Sequence, residues 1–400
     1  MKIAQINAVY GKGSTGKTTS EMHEFLKNKG HESYVFWATG AKGCENDKNV
    51  IRIGTTLDHK LHAALSRLFH NQAFNSRFAT RSLIKKLKKI EPDVVHLGNL
   101  HSNYINFKSL LKYLAKYKIP TVLTLHDCWF LTGGCFHYKL DNCEGYKYAC
   151  ENCPQCKTKY EKKKRQRLFA KKKALFSRLS KLAVVGVSEW TDESARESNM
   201  FCENAIHTYV HNWIDLETFK PTCDREVLKK FGIPEDKKII LGVAQSWRAD
   251  KGRETFEKIS ELIEDDALVV LVGNANGAES TNKLKYIGRT ESPKELAALY
   301  TSAAVFVNPS PAETFGKVTA EALACGAPVV AYNNTGTAEL VKDFSGILTE
   351  DGNESALIEN VLKILNTTDE NKEKRIDFAK KSFNLTKQIE KYVALYENLR

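Results

Sequence analysis

Glu313 and Glu321 stand in the run Pro309-Ser-Pro-Ala-Glu-Thr-Phe-Gly-Lys-Val-Thr-Ala-Glu-Ala-Leu-Ala-Cys-Gly-Ala-Pro328. Carboxylates accept hydrogen bonds from sugar hydroxyls, and at this spacing the two line one pocket at different depths. The run follows an apolar strand over 304–307. At Thr314-Phe315-Gly316-Lys317 it turns into a helix, whose first backbone N–H groups and positive dipole end favour a pyrophosphate. A second anion-binding candidate lies near the start. Gly11-Lys-Gly-Ser-Thr-Gly-Lys-Thr18 matches the phosphate-cradling pattern G-x-x-x-x-G-K-[ST], between an apolar strand and a helix expected over 18–28. His126-Asp127 ends the apolar segment Thr121–Leu125, so Lys17, Thr18 and Asp127 could together assemble an ATPase site. The third candidate is a cluster of thiols. Six of ten cysteines fall between Cys128 and Cys156, and Cys135, Cys143, Cys150 and Cys153 are spaced C-x7-C-x6-C-x2-C. In a reducing compartment such a cluster favours structural zinc over disulfides, with a redox pair or unligated thiols as alternatives.

The elements that must position these groups alternate strand and helix, the pattern of parallel sheets with crossover helices. Strands are expected at 3–9, 33–37, 94–97, 121–125 and 182–187, and again at 239–244, 267–272, 285–287, 304–307 and 328–331. The helices between them include 57–69, 80–90 and 107–117 in the first half, then 254–263, 294–300, 318–325 and 355–365. A segment of mixed polarity, 207–221, reads as a hinge. Four hundred residues suit two domains. The division expected is 1–206, with a Cys-rich insertion at 128–156 and a basic helix at 157–181; then 207–385; then a last helix, 386–400, crossing back to the first domain.

Composition is that of a soluble globular protein, with 42% hydrophobic and 27% charged residues. No uncharged apolar run is long enough to span a bilayer, and Met1-Lys2 leads straight into a strand, so the expected location is cytoplasmic. The net charge of +12 is concentrated: residues 157–181 carry twelve Lys or Arg against Glu161 alone. Leu168, Leu175, Leu179 and Leu182 recur there at helical spacing. One reading is a docked surface helix with its basic face on anionic lipid; the other is an ordinary packed helix with a solvated face. A single basic helix without a binding module argues against nucleic acid.

The segment from Glu313 to Glu321 resembles the E-x7-E motif of the retaining GT-B glycosyltransferases of family 4, the glycosyl transferases group 1. Asn212-Trp-Ile-Asp215 with Phe219 and Pro221 resembles that family's linker signature, with Trp213 where glycine is usual. Lys251-Gly252, Ala338-Glu339-Leu-Val and Gly346-Ile-Leu resemble its later motifs. The family places an arginine five residues before the lysine; here that position is Ser246, and Arg248 stands nearby as its substitute.

The resemblance implies two Rossmann-like, doubly wound α/β domains facing a cleft. It also implies retaining transfer of a hexose-type sugar from a nucleotide-diphosphate sugar, without a catalytic metal. Glu321 would hold the ribose, Glu313 and His126 would meet the donor sugar, and Arg248, Lys251, Phe315, Gly316 and Lys317 would surround the diphosphate. Gly13 would then line that diphosphate rather than an ATP triphosphate. The Cys-rich insertion resembles that of polysaccharide-building members. The expected acceptor is therefore a saccharide, lipid-linked, in surface polysaccharide or lipopolysaccharide synthesis, with the enzyme peripheral at the inner face of the plasma membrane. A P-loop ATPase or kinase and a non-catalytic nucleotide-sugar binding protein are the alternatives.

Overall fold

Runs such as Val94-Val-His-Leu97 and Ala267-Leu-Val-Val-Leu-Val272 are buried along their whole length. Strands apolar on both faces need helices on both sides, which is the environment of a parallel sheet. The computed structural model, which describes every residue except 44, 45, 223, 249 and 250, contains two such sheets. They belong to two compact units, Met1–Val210 with Gln388–Arg400, and His211–Lys387.

The first unit runs β1 (Lys2–Ile6), α1 (Gly13–Asn28), β2 (Glu32–Trp37), β3 (Val50–Arg52), α2 (Thr56–Phe69), α3 (Arg77–Ile90), β4 (Val94–Leu97), α4 (Phe107–Lys116), β5 (Thr121–Leu125), α5 (Lys159–Phe176), β6 (Leu182–Gly186), α6 (Glu189–Glu197) and β7 (Ile206–Tyr209). Its strands are all parallel, in the order β3-β2-β1-β4-β5-β6-β7. The second unit runs α7 (Arg225–Lys230), β8 (Lys238–Ser246), α8 (Arg253–Leu262), β9 (Ala267–Asn274), β10 (Leu284–Ile287), α9 (Pro293–Ser302), β11 (Ala303–Asn308), α10 (Lys317–Ala324), β12 (Val329–Tyr332), α11 (Thr335–Ala338), β13 (Gly346–Thr349), α12 (Glu354–Leu365) and α13 (Lys372–Ser382). Its parallel order is β10-β9-β8-β11-β12-β13.

The last helix, α14 (Leu385–Leu399), joins the first unit from Gln388 onward. Tyr396 and Tyr392 hold it there. His96 Nδ1 bonds the Tyr396 hydroxyl at 2.7 Å, His96 Nε2 bonds Thr124 Oγ1 at 2.7 Å, and Thr124 meets Tyr392 at 3.0 Å. All four side chains are buried, so the network satisfies polar groups that would otherwise be costly inside a core. Complete burial lowers the His96 pKa to about 3, helped by His126, and keeps the ring neutral.

Two boundaries differ from the sequence reading, and the basic run forms the helix expected of it. The segment expected to be a hinge from His207 begins as strand: Ile206–Tyr209 pairs with β6. Helix α1 starts at Gly13, not Thr18. The basic run forms α5, capped by a Thr158–Glu161 box, and its Leu168, Phe169, Leu175 and Phe176 are core residues. The apolar stripe is thus used up inside the protein, and the outer face of α5 is polar.

Candidate functional site

In the second unit the loops after β8 and β11, both at carboxyl ends of parallel strands, bring the expected donor residues together. Lys251 is set by Gly252, which caps α8 at φ +70°. A Cβ at Gly252 would lie 2.3 Å from Pro309 Cγ, so only glycine lets the two loops approach this closely. Lys251 Nζ then donates to Glu313 Oε1 at 2.5 Å and to Ser310 Oγ at 3.3 Å. Glu313 is fixed by its backbone. Its N–H donates to Thr335 Oγ1 at 3.0 Å, and its C=O accepts from Gly336 N–H at 3.0 Å. A Cβ on Gly336 would meet Thr314 O at 2.2 Å, so this turn too requires glycine.

Gly316 caps α10 at φ +86°, and no side chain caps that helix. The N–H groups of Thr319 and Ala320 turn back to Gly316 O at 3.0 and 3.2 Å, so the helix opens directly from the Gly316 turn with its positive dipole end toward the loop. Phe315 is buried, and Asn308 Nδ2 anchors the first turn through Thr319 Oγ1 at 3.0 Å. Glu321, one turn in, accepts from the Tyr300 hydroxyl at 3.2 Å. Burial, with the Glu321 charge beside it, pushes the Tyr300 phenol well above its ordinary range, so it remains a donor. Arg248 is exposed on the loop after β8, and its carbonyl accepts from Lys251 N–H at 2.9 Å. At the position where the resemblance leads one to expect arginine, Ser246 Oγ bonds Asn276 Oδ1 at 3.0 Å. Ser310, Tyr300, Thr335 and Gly336 are site residues that sequence reasoning missed: Ser310 stands in the Glu313 run without having been singled out, and the others come from two further segments, α9 and α11.

In the first unit the glycine pattern does not make the ATP-cradling loop its residue types match. Such a cradle needs non-helical residues before the conserved lysine, whereas Gly13 to Gly16 are already the first turn of α1. Gly11 N–H closes back on Gly16 O at 2.8 Å, and Lys17 pairs with Glu21 at 3.6 Å. Asp127 is engaged by His101 Nε2 and by Trp129 N–H, each at 2.8 Å. Burial raises its pKa, but the bond and charge of His101, the Trp129 N–H and the nearby His126 together outweigh it and hold the carboxyl below its usual range. The ATPase arrangement of Lys17, Thr18 and Asp127 is not built. Gly13 keeps a positive φ of +67° with open space where a Cβ would stand. His126 lines a cavity of about 20 Å³ with Asn7, Thr18, His96 and Thr124, room for about one water.

The four predicted cysteines line one cavity, also about 20 Å³. Gly133 N–H points at Cys150 Sγ (3.2 Å) and Gly145 N–H at Cys143 Sγ (3.4 Å). Cys150 and Asn152 take left-handed conformations at φ 52° and 49°, bending the C-x2-C pair into a knuckle. Among the described residues no three of these sulfurs lie within 4.8 Å of one another; the only group of possible ligands that tight is buried His23 with exposed Glu24 and half-buried Asp47.

The sequence profile of Glycosyltransferase Family 4 matches residues 15–218, and that of Glycosyl transferases group 1 matches residues 224–383. Over the full length of both chains, 25% of residues are identical to "Putative colanic acid biosynthesis glycosyl transferase WcaC" of Escherichia coli K12. Among solved structures, sucrose-phosphate synthase of Thermosynechococcus elongatus superposes with TM-score 0.70 at 18% identity, covering 100% of this chain and 98% of that one. Anabaena Alr3699/HepE, solved with UDP and glucose, gives 0.68 at 16% identity over the whole of both chains. The fold is GT-B. Among the described residues no helix is long and apolar enough to cross a membrane.

Proposed function

The chain belongs to glycosyltransferase family 4, and from that premise we propose that it transfers a hexose-type sugar from a nucleotide-diphosphate donor with retention at the anomeric carbon. Glycosyl transfer itself comes with the family. One observation supports the finer reading: the Lys251–Glu313 pair stands at the carboxyl ends of β8 and β11, beside the start of α10, whose N-cap Gly316 makes no side-chain cap bond, and Glu321 follows on that same helix. In this reading Lys251 and Arg248 meet the diphosphate with the amides of Phe315, Gly316 and Lys317, Glu321 holds the ribose, and Glu313 meets the sugar. The bond from the anomeric carbon to the diphosphate oxygen breaks, the acceptor oxygen bonds that carbon on the same face, and the acceptor proton leaves with the diphosphate. Charge grows on the leaving oxygen, where a fixed cation and helix dipole lower the barrier. Before donor binding, Glu313 neutralises Lys251. For His126 and Gly13 the proposal carries over the contacts that the resemblance implies.

The printed role of WcaC in colanic acid biosynthesis supports a saccharide acceptor in surface polysaccharide assembly. UDP sugars are the first donors to try, since HepE was solved with UDP-glucose. We further propose that Cys135, Cys143, Cys150 and Cys153 hold a structural zinc ion. Their shared cavity and the N–H groups aimed at two of the sulfurs support it, and the thiols must close in around the ion. The test of the donor site is ligand-induced stabilisation across nucleotide sugars and Mg-ATP, which raises the melting midpoint by mass action. A nucleotide-sugar response that Glu321→Gln removes supports the reading; a response to Mg-ATP alone overturns it.

A further inference from the structure

A second cavity, of about 220 Å³, lies wholly within the first unit between α2, α5 and the loops after β4 and β5. Its cationic lining is Arg67 from α2 and Arg165 and Lys172 from α5, with His70 at the C-cap of α2, and no Asp or Glu contributes. Lys172 is the unusual member. It is 1% exposed, its amine donates to the carbonyls of Trp129 (2.5 Å) and Thr132 (3.0 Å), and it sits 3.3 Å from the centre of the Trp129 ring. Among the described residues no carboxylate pairs with it. An ammonium has three donors, so one is left for the cavity it lines. A buried cation without a counter-charge is costly and rare. Burial pulls the Lys172 pKa well below its ordinary value, and an anion in the cavity would restore the charge.

The opposite wall is shaped to bring Arg165 in. A Cβ on Gly134 would lie 2.0 Å from an Arg165 guanidinium nitrogen, and one on Gly133 would lie 2.5 Å from the Arg165 carbonyl. The Gly133-Gly134 turn thus leaves room for a guanidinium over its backbone. Arg67 stands exposed at the mouth. Two planar forks and an ammonium on several sides suit a multiply charged phosphate better than a single carboxylate, which would leave the cations repelling one another.

The helix that supplies Arg67 also turns Leu57, Leu61, Leu68 and Phe69 outward, Leu57 at 75% exposure. An anion pocket beside exposed leucines fits a phosphate carried on a lipid.

We propose that this cavity binds the phosphate or pyrophosphate of the acceptor, a specificity site resting on the transferase reading above. The binding test needs no turnover. Inorganic pyrophosphate is titrated into the full-length wild type, Arg67→Ala and Lys251→Met. Two sites are expected in the wild type. Arg67→Ala, at an exposed position, should weaken one by about tenfold or more, the size of one lost charge-assisted hydrogen bond. Lys251→Met should weaken the other. If Arg67→Ala binds pyrophosphate as the wild type does, the pocket reading falls while the donor reading stands. Turnover then separates the sources, comparing a lipid-pyrophosphate-linked saccharide, a soluble saccharide phosphate and the same saccharide without phosphate. A KM raised by Arg67→Ala for both phosphorylated acceptors supports the pocket. A KM raised for the lipid-linked one alone assigns the phosphate to lipid. A wild type that uses the unphosphorylated acceptor with the same KM as the phosphorylated ones overturns the proposal.

Discussion

Replacing Lys251 by methionine separates chemistry from stability. In the free protein the Lys251–Glu313 pair is 2.5 Å long, but its side chains are 31% and 27% exposed. Water screens such a pair, so its loss should cost about 0.2–1 kcal/mol of stability. For a domain of this size that lowers the melting midpoint by about 4 °C at most. The same cation facing the departing diphosphate should matter far more. Losing one preorganised charge at a developing anion costs about 3–4 kcal/mol of barrier, or about 100- to 1000-fold in kcat. The assay is release of nucleotide diphosphate at saturating donor and acceptor, run beside a thermal melt of the same preparation. Lys251→Arg keeps the charge and should recover part of the rate. A Lys251→Met enzyme with kcat within about threefold of wild type, less than about 0.7 kcal/mol of barrier, would refute the role of this lysine.

Gly252→Ala should destabilise the second unit by about 1–3 kcal/mol, because its Cβ would press on Pro309 at φ +70°. A thermal melt checks this, and donor affinity should fall with it. Purified protein should contain about one zinc ion per chain by metal analysis; Cys153→Ser should lower that content and the melting midpoint, and a metal-free, fully stable wild type would dismiss the ion. Acid should weaken the first unit through His96. Its folded pKa of about 3 lies below the ordinary 6.5, so the unfolded chain binds the proton first, and stability is lost as pH falls from about 6.5 toward 3. His62, lowered by burial to about 4, acts in the same direction. His96→Gln should therefore flatten the melting midpoint between pH 7 and 4.5, though only partly.

The parallel α/β organisation was legible because buried strands such as Val94–Leu97 and Ala267–Val272 announce themselves as short apolar runs between helical periods. Strands β3, β7 and β13 escaped, being three or four residues long and only partly buried, without the apolar continuity that marks the rest. Glu313 and Glu321 could be nominated from spacing, since a single loop and one turn of helix carry both carboxylates, and Lys251 from the resemblance of Lys251-Gly252 to a family motif. Their partners could not. Thr335 and Gly336 reach Glu313 only because β12 lies beside β11, and Tyr300 reaches Glu321 from the preceding helix. The glycine pattern of residues 11–18 matches the ATPase loop in residue types only: such a match does not fix where a helix begins, and here α1 takes up the residues an ATP-cradling loop would need. The basic cavity was invisible in sequence, because Arg67 and Arg165 stand on helices almost a hundred residues apart.

The central claim is tested most directly by the stereochemistry of the product. Wild-type protein is incubated with α-linked UDP sugars and a saccharide acceptor, and the new linkage is read by proton NMR while released nucleotide is quantified. The account predicts an α linkage, one nucleotide diphosphate released per bond formed, and no product from Glu321→Gln. A β linkage, or full turnover by Glu321→Gln, would contradict it.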